Sequence, residues 1–381
     1  MRNRFEHLGA FSNWVDEAHR QTSLHPVTAP SEQTRQAIRD VLGFSEDSRA
    51  AEEVQVGRVW ESDGLTGEEL SWSVGYGPRT RAWVLRPAAA SNPLPGVLAL
   101  HGHDGFKFFG KEKVADGPDD PPASVTEVRE ELYHGRAFAN ALAKRGFVVL
   151  VHDAFLWGSR RFPFEVMPES VRRAVEDFRT AHEGHPDEAE LYNVAARHHE
   201  HLVAKYCSVL GTTLAGVVAR EDRAAADYLR SRPDVIPERI GCVGLSGGGC
   251  RAALLQATCD DVRAAVVVGM MTTHEHLLDH HVDQHTWMFF PPGLARLCDW
   301  PDLAASRAPS PLLVQYNRDD HLFTPEGMQA AHERIASHYR STGHAGAYSG
   351  EFYDGPHKFD VDMQESAFGW LERELSRRRV A

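Results

Sequence analysis

A serine set among glycines, Gly244-Leu245-Ser246-Gly247-Gly248, follows the apolar run Ile240-Gly241-Cys242-Val243 and precedes the helix-prone run Cys250-Arg251-Ala252-Ala253-Leu254-Leu255. A strand, a G-x-S-x-G turn and a helix in that order form a sharp elbow. Glycine is needed around the serine because a side chain there would meet the neighbouring strand or helix. The elbow lifts the Ser246 hydroxyl to the carboxyl end of its strand, beside the amino end of the next helix, and so makes it a candidate nucleophile. A bare G-x-S-x-G is a weak signal, and its weight comes from what else the chain supplies.

A hydroxyl nucleophile needs a base, a group that orients the base, and donors for an oxyanion. When the serine comes first in the chain, the acid and then the histidine are expected just past later strands. After Leu312-Leu313-Val314-Gln315-Tyr316 comes Asn317-Arg318-Asp319-Asp320-His321, where two carboxylates compete. Setting Asn317 at the first position of a Gly-x-x-Asp turn makes Asp320 the orienting acid. Asp319 is the alternative, and a solvated turn is the plain reading of both. Further on, Tyr353-Asp354-Gly355-Pro356-His357 places His357 between the last strand and the last helix, where a general base belongs. The run Leu98-Ala99-Leu100 opens into His101-Gly102-His103-Asp104-Gly105. Its backbone N–H groups are expected to face the elbow, so the oxyanion donors should be the N–H groups of Gly247 and His103. The side chains of His101, His103 and Asp104 read as structural.

Something must hold these loops together at one edge. Val97–Leu100 is continuously apolar, as suits a strand buried on both faces of a parallel sheet. Other strand-like segments are Val54–Glu61, Glu69–Val74, Thr80–Leu85, Phe147–His152, Ala264–Met270, Leu312–Tyr316 and about Ala347–Tyr353. Helical patterns cover about Tyr133–Lys144, about His198–Arg230 with a break near Gly211, and Val361–Arg377. The alternation predicts an α/β class with a mostly parallel central sheet and helices on both faces. Residues 1–50 read as a helical N-terminal extension. In it Phe5, Leu8 and Trp14 mark one apolar side, and Ser31 and Gly43 start and stop a second helix. Residues 51–381 form the catalytic domain. Within them, 154–192 is an aromatic-, Arg- and Pro-rich excursion, read either as a lid or acyl pocket (Phe155, Trp157, Phe162, Phe164, Arg160, Arg161) or as ordinary packing. Asp153 reads as a turn or cap residue.

Taken together, the elbow, the acid loop, the histidine loop and the His101–Gly105 turn resemble the α/β-hydrolase superfamily over roughly residues 80–375. Within it, the chain is similar to the group related to dienelactone hydrolases and acetyl xylan esterases. That likeness is carried by His101–Gly105 with Lys107-Phe108-Phe109-Gly110-Lys111-Glu112-Lys113, by Pro237-Glu238-Arg239-Ile240-Gly241, and by Ser310-Pro311-Leu312-Leu313-Val314. The resemblance implies cleavage of a carboxylic ester through an acyl-enzyme on Ser246, with no cofactor. Dienelactone hydrolases carry Cys where this chain has Ser246, which favours simple ester hydrolysis here.

A second set of residues invites a different chemistry. His274, His276, His280, His281 and His285, with Asp279 and Asp283, follow the strand ending near Met270, and some of their spacings suit a metal. A serine triad needs no metal, so none is expected. The segment reads instead as the rim of the substrate pocket, with His285, Trp287 and, from the excursion, Trp157 as candidate substrate contacts.

Composition narrows the rest. A net charge of −13 repels phosphate backbones and speaks against a nucleic-acid partner. The basic patches are short: Lys107, Lys111 and Lys113 in one place, Arg377-Arg378-Arg379 in another, the latter suited to a helix end. No run approaches the ~20 apolar residues of a membrane helix. Met1–His7 lacks the apolar stretch of a secretory signal, so a cytoplasmic place is expected. Five cysteines without a C-x-x-C pair argue against a disulfide framework or a zinc knuckle. Cys250, near Ser246, reads as a buried structural thiol. The expected partner is a small-molecule ester, and the N-terminal helices are open to three roles: lid, domain brace or homodimer contact. The rivals are an acyltransferase or amide hydrolase on the same residues, a silent binding protein on a hydrolase fold, and a metal protein built on the histidine cluster.

Overall fold

The structure is a computed structural model that describes residues 5–43, 50–182, 184–278 and 281–376. Asp279, His280 and Arg377-Arg378-Arg379 lie outside the described residues. Nine strands form one sheet: β1 (Glu52–Ser62), β2 (Leu65–Ser73), β3 (Thr80–Pro87), β4 (Leu94–Leu100), β5 (Val148–His152), β6 (Val235–Leu245), β7 (Val262–Val268), β8 (Leu312–Asn317) and β9 (Tyr348–Tyr353). Their order is β1-β2-β3-β5-β4-β6-β7-β8-β9. The first three strands join antiparallel, and β5 through β9 run parallel. The mostly parallel sheet expected from the alternation is therefore present.

The apolar runs have the cause assigned to them. In β4 and β5, Leu98, Leu100, Val148 and Leu150 feed the core on one face, while Val97, Ala99, Val149 and Val151 feed the core on the other. Successive side chains point to opposite faces, so only a strand covered on both sides needs apolar residues at every position. The edge strand β1, with Val56 and Val59 exposed, has no such cover.

The helices are α1 (Trp14–Gln21), α2 (Glu32–Leu42), α3 (Ala123–Tyr133), α4 (Phe138–Lys144), α5 (Glu169–Ala181), α6 (Glu188–Val209), α7 (Leu214–Ser231), α8 (Gly247–Thr258), α9 (Leu294–Leu297), α10 (Trp300–Ala305), α11 (Pro325–Ser341) and α12 (Val361–Ser376). Two boundaries differ from expectation. Tyr133 ends α3 rather than opening a helix, because His134 and Gly135 both take positive φ before α4 begins. The long helical pattern is two helices bent by 85°. It breaks where expected, at Gly211 (φ 72), but α6 starts ten residues earlier than the pattern suggested, capped by Asp187 and Glu190. Among the described residues no single helix is long and apolar enough to cross a membrane.

The extension is docked. Ser31 caps α2 through its hydroxyl and Gly43 ends it in the left-handed region. Ile38 and Leu42 are fully buried as α2 packs against α7 and α8. Each such side chain contributes about 1.5–3 kcal/mol of burial. Of the first apolar side, Phe5 is buried but Trp14 remains 65% exposed. The excursion is mostly packing: α5 lies on α6 through Val171, Val175, Tyr192 and Ala195, and Arg160 is buried against Glu221.

Candidate active site

The parallel register brings the chemistry to one edge. Leu100 of β4 pairs with Gly244 of β6, Leu245 with Val268 of β7, Val268 with Gln315 of β8, and Asn317 with Tyr353 of β9. The loops that follow these strand ends carry His103, Ser246, Asp320 and His357.

Ser246 sits at φ 57, ψ −118, a strained backbone for a residue with a Cβ. The turn is held by its N–H bonded to Val268 O at 2.8 Å. Glycine is required around it for contact reasons. A Cβ on Gly248 would lie 2.1 Å from Leu100 O, one on Gly244 2.5 Å from the Gly248 backbone, and one on Gly247 2.6 Å from the His103 nitrogen. That last contact puts the Gly247 and His103 backbones side by side. The Gly247 N–H lies in the first turn of α8, where amides lack intrahelical acceptors.

His357 Nδ1 and Asp320 Oδ2 are 2.6 Å apart, with both residues buried. The other Asp320 oxygen accepts from Leu322 N. Asp319, by contrast, is exposed, and its carboxylate accepts from Gly355 N at 2.9 Å. It joins the acid loop to the histidine loop without touching the imidazole. Ser246, Gly247, His103 and His357 line one cavity of about 260 Å³, whose apolar wall includes Met270, Phe289, Leu322 and Phe323. An adjoining open cleft of about 600 Å³ shares His103, Gly105 and His285 with it and is lined by polar groups that include Glu127, Asn193 and Arg197.

The expected substrate contacts fall in three different places. His285 lines the inner cavity, stacked on Phe323 at 5.0 Å. Trp287 stands on the outer cleft, 41% exposed, donating through Nε1 to His201. Trp157 is only 1% exposed and lines neither space; it packs beneath the turn against His101 and His103. As a substrate contact it is therefore corrected to a support of the loop. The histidines after β7 also disperse. His276 pairs with Thr273 at 2.6 Å, His285 faces the cavity, and His274 is buried against Asp299, so the sequence spacings do not form one ligand set.

Burial pushes the His285 imidazole pKa down to about 4. A histidine whose folded pKa is lowered contributes stability that is present above its unfolded pKa of about 6.5 and lost as pH falls toward the folded value. Acidifying from pH 7 to 4.5 is therefore expected to cost the native protein up to about 3 kcal/mol more than it costs His285→Gln. Urea unfolding of both proteins at the two pH values measures the difference; equal losses would refute it.

Several supporting residues escaped the sequence reading. The three lysines read as a basic patch are buried. Lys107 pairs with Glu200, Lys111 with Asp153, and Lys113 with Asp104 at 2.7 Å. Lys113, fully buried, also donates to Gly102 O at 2.6 Å and Phe106 O at 3.1 Å, and so fixes the shape of the loop that carries His103. Burial lowers its pKa against the pull of Asp104. Glu200 of α6 holds His103 Nε2 at 3.0 Å, Thr286 Oγ1 at 2.6 Å and Trp287 N at 2.8 Å. Burial acts to raise the Glu200 pKa, but Lys107 and His103 hold its carboxylate well below the usual range. Beneath the elbow, Arg251 of α8 binds Asp222 and donates to His101 O at 3.1 Å. Asp153 accepts from Lys111 N and Ser159 N, the turn role expected of it. Cys250 is buried, and burial drives its thiol pKa well up.

Solved structures share this fold. A protein assigned as an acetyl xylan esterase from Bacteroides fragilis superposes with a TM-score of 0.67 at 14% identity, covering 96% of this chain and 95% of its own. The chain has the α/β-hydrolase fold. A glucuronoyl esterase from Solibacter usitatus matches this chain with a TM-score of 0.63 at 15% identity, covering 92% of this chain and 95% of its own. By sequence, the chain is 24% identical over 319 residues to YtaP of Bacillus subtilis, which is assigned as a hydrolase; the match spans 84% of this chain and 90% of that protein. No family model matches.

Proposed function

We propose that the protein is a serine hydrolase of carboxylic esters, with Ser246 as nucleophile, His357 as general base and Asp320 as orienting acid. The observation that carries this reading is the His357–Asp320 pair at 2.6 Å, opening into the same cavity as a strained Ser246. With Nδ1–H donating to Asp320, the lone pair of His357 is on Nε2, which takes the Ser246 proton as Oγ attacks the ester carbonyl. The tetrahedral oxyanion is held by the N–H groups of Gly247 and His103. Collapse expels the alcohol, protonated by His357, and leaves an acyl-enzyme. Water, deprotonated at His357, then releases the acid and restores Ser246.

The small inner cavity suits a short acyl group, and the open polar cleft suits a hydroxyl-rich alcohol, with His285 and Trp287 at the two levels. An acetylated polysaccharide, the substrate named for the acetyl xylan esterase, fits that division, whereas a glucuronoyl ester, with its sugar on the acyl side, does not. The openness of the cleft to water favours hydrolysis over acyl transfer.

The test is intact-mass analysis after a fluorophosphonate. One adduct on Ser246, with p-nitrophenyl acetate turned over faster than the octanoate, is the expected result; an unlabelled protein without esterase activity would end the proposal. Gly247→Ala tests the oxyanion site, since its Cβ would press on the His103 nitrogen. It is expected to lower kcat by about 10²–10³-fold and stability by about 1–3 kcal/mol, read by ester kinetics and urea unfolding.

A further inference from the structure

Behind the Phe289 wall of the cavity, three residues from distant parts of the chain meet: His25 of the N-terminal extension, His274 after β7, and Asp299 at the start of α10. One ring nitrogen from each histidine and one Asp299 oxygen lie within 4.8 Å of one another. His274 is 8% exposed and Asp299 1%. The Nδ1 atoms of both His25 and His274 are buried without a hydrogen-bond partner. His274 Nδ1 stands 3.0 Å from Asp299 Oδ1, close but not in hydrogen-bonding geometry. Buried polar atoms are normally satisfied, and an orphan calls for an explanation such as an ion.

We propose that His25, His274 and Asp299 form a structural site for a divalent, borderline-soft cation, Zn²⁺ foremost, that clamps the N-terminal extension onto the catalytic domain. Two imidazoles and one carboxylate are a donor set that suits zinc.

The supports of the site agree with that role. His274 Nε2 lies 3.4 Å from Phe289 O, and donating there leaves the lone pair on Nδ1. Such an outer hydrogen bond is what orients a ligating imidazole. Both Asp299 oxygens accept from His274 N at 3.1 Å, which holds the carboxylate in place. The His25 backbone is fixed from two sides, N–H to Ala295 O at 2.7 Å and carbonyl to Arg334 at 3.1 Å. Arg334 is itself ion-paired with Asp302.

Around zinc with bonds of about 2.0–2.1 Å, tetrahedral ligand atoms sit about 3.3 Å apart. The His274–Asp299 pair is already near that separation, and the remaining distances need to close by at most about 1.5 Å, within reach of a ring rotation. His25 also lines an apolar groove with Leu24 and Leu278, so the site is approached from its His25 side. The proposal departs from the expectation of no metal. It also differs from the histidine cluster read in the sequence, because His25 lies some 250 residues away from it in the chain.

The experiment is a competition titration of the full chain, stripped with a chelator and desalted, using Zn²⁺ against a chromophoric chelator, with Co²⁺ absorption as a second readout. One Zn²⁺ per chain is expected, together with Co²⁺ ligand-field bands and a raised melting temperature. His25→Ala and His274→Ala should each weaken binding by about 100-fold or more, while His276→Ala leaves it unchanged. A folded wild-type protein that takes up no stoichiometric Zn²⁺ or Co²⁺, or a His25→Ala variant that keeps full affinity, would overturn the site. His25 lies on a loop, so its variant should keep the wild-type circular dichroism, and the wild-type Co²⁺ spectrum needs no variant at all. None of these readouts depends on ester turnover, so this test and that of the esterase reading fail separately.

Discussion

Ser246→Ala is expected to lower ester turnover by about 10⁴- to 10⁶-fold while leaving the fold intact. The size of the loss follows from the division of labour. On the proposed mechanism no acyl-enzyme forms without the hydroxyl and His357 has no proton to take; the proposed oxyanion donors and substrate binding would support only a small residual rate. The fold should survive because Ser246 pays a backbone cost to hold φ 57 and makes its turn bond through its N–H, which alanine keeps. Circular dichroism and urea unfolding beside p-nitrophenyl acetate kinetics separate the two effects. Turnover within tenfold of wild type in a folded variant would remove Ser246 from the chemistry.

Asp320→Asn carries the second largest expected effect, a fall in kcat of about 10³- to 10⁴-fold. The asparagine amide keeps the size of the carboxylate but offers a donor to His357 Nδ1, which turns the imidazole to the wrong tautomer and leaves a developing imidazolium unpaired. Asp319→Asn is the control: its carboxylate bonds to Gly355 N, and an amide oxygen accepts that bond equally well. Its kcat should stay within about 3-fold of wild type. The ratio of the two variants measures the choice between adjacent carboxylates, and a reversed order would assign the acid to Asp319.

That choice illustrates what local sequence carries. The two aspartates are neighbours in an exposed-looking turn, and the turn pattern after β8 pointed to Asp320. The structure gives the physical distinction: one carboxylate is turned inward onto His357 and the other outward onto the backbone of the next loop. The continuous apolar run of β4 was equally legible, because a strand covered on both faces leaves a one-dimensional trace. So were the glycines of the elbow, since each answers to a contact with the elbow's own backbone, the adjacent strand or the loop that continues it.

The supports of the site left no such trace. Lys107, Lys111 and Lys113 look like a surface patch in the sequence, yet each is buried against a carboxylate, Lys107 against one that comes from 93 positions further on. Glu200, which joins the His103 loop to the Thr286–Trp287 rim, is one acidic residue in a helix of mixed charge. Trp157 reads as a pocket aromatic and is instead a floor beneath the His103 loop.

The parallel sheet, the elbow at Ser246 and the order in which Ser246, Asp320 and His357 follow the strands were legible along the chain, because strand periodicity and turn chemistry are set by residues close in sequence. Which charges are buried, which of the aromatic residues line the cavity, and the meeting of His25 with His274 and Asp299 came from packing across the fold. Those properties depend on which partner lies opposite each side chain, and folding chooses that partner from anywhere in the chain.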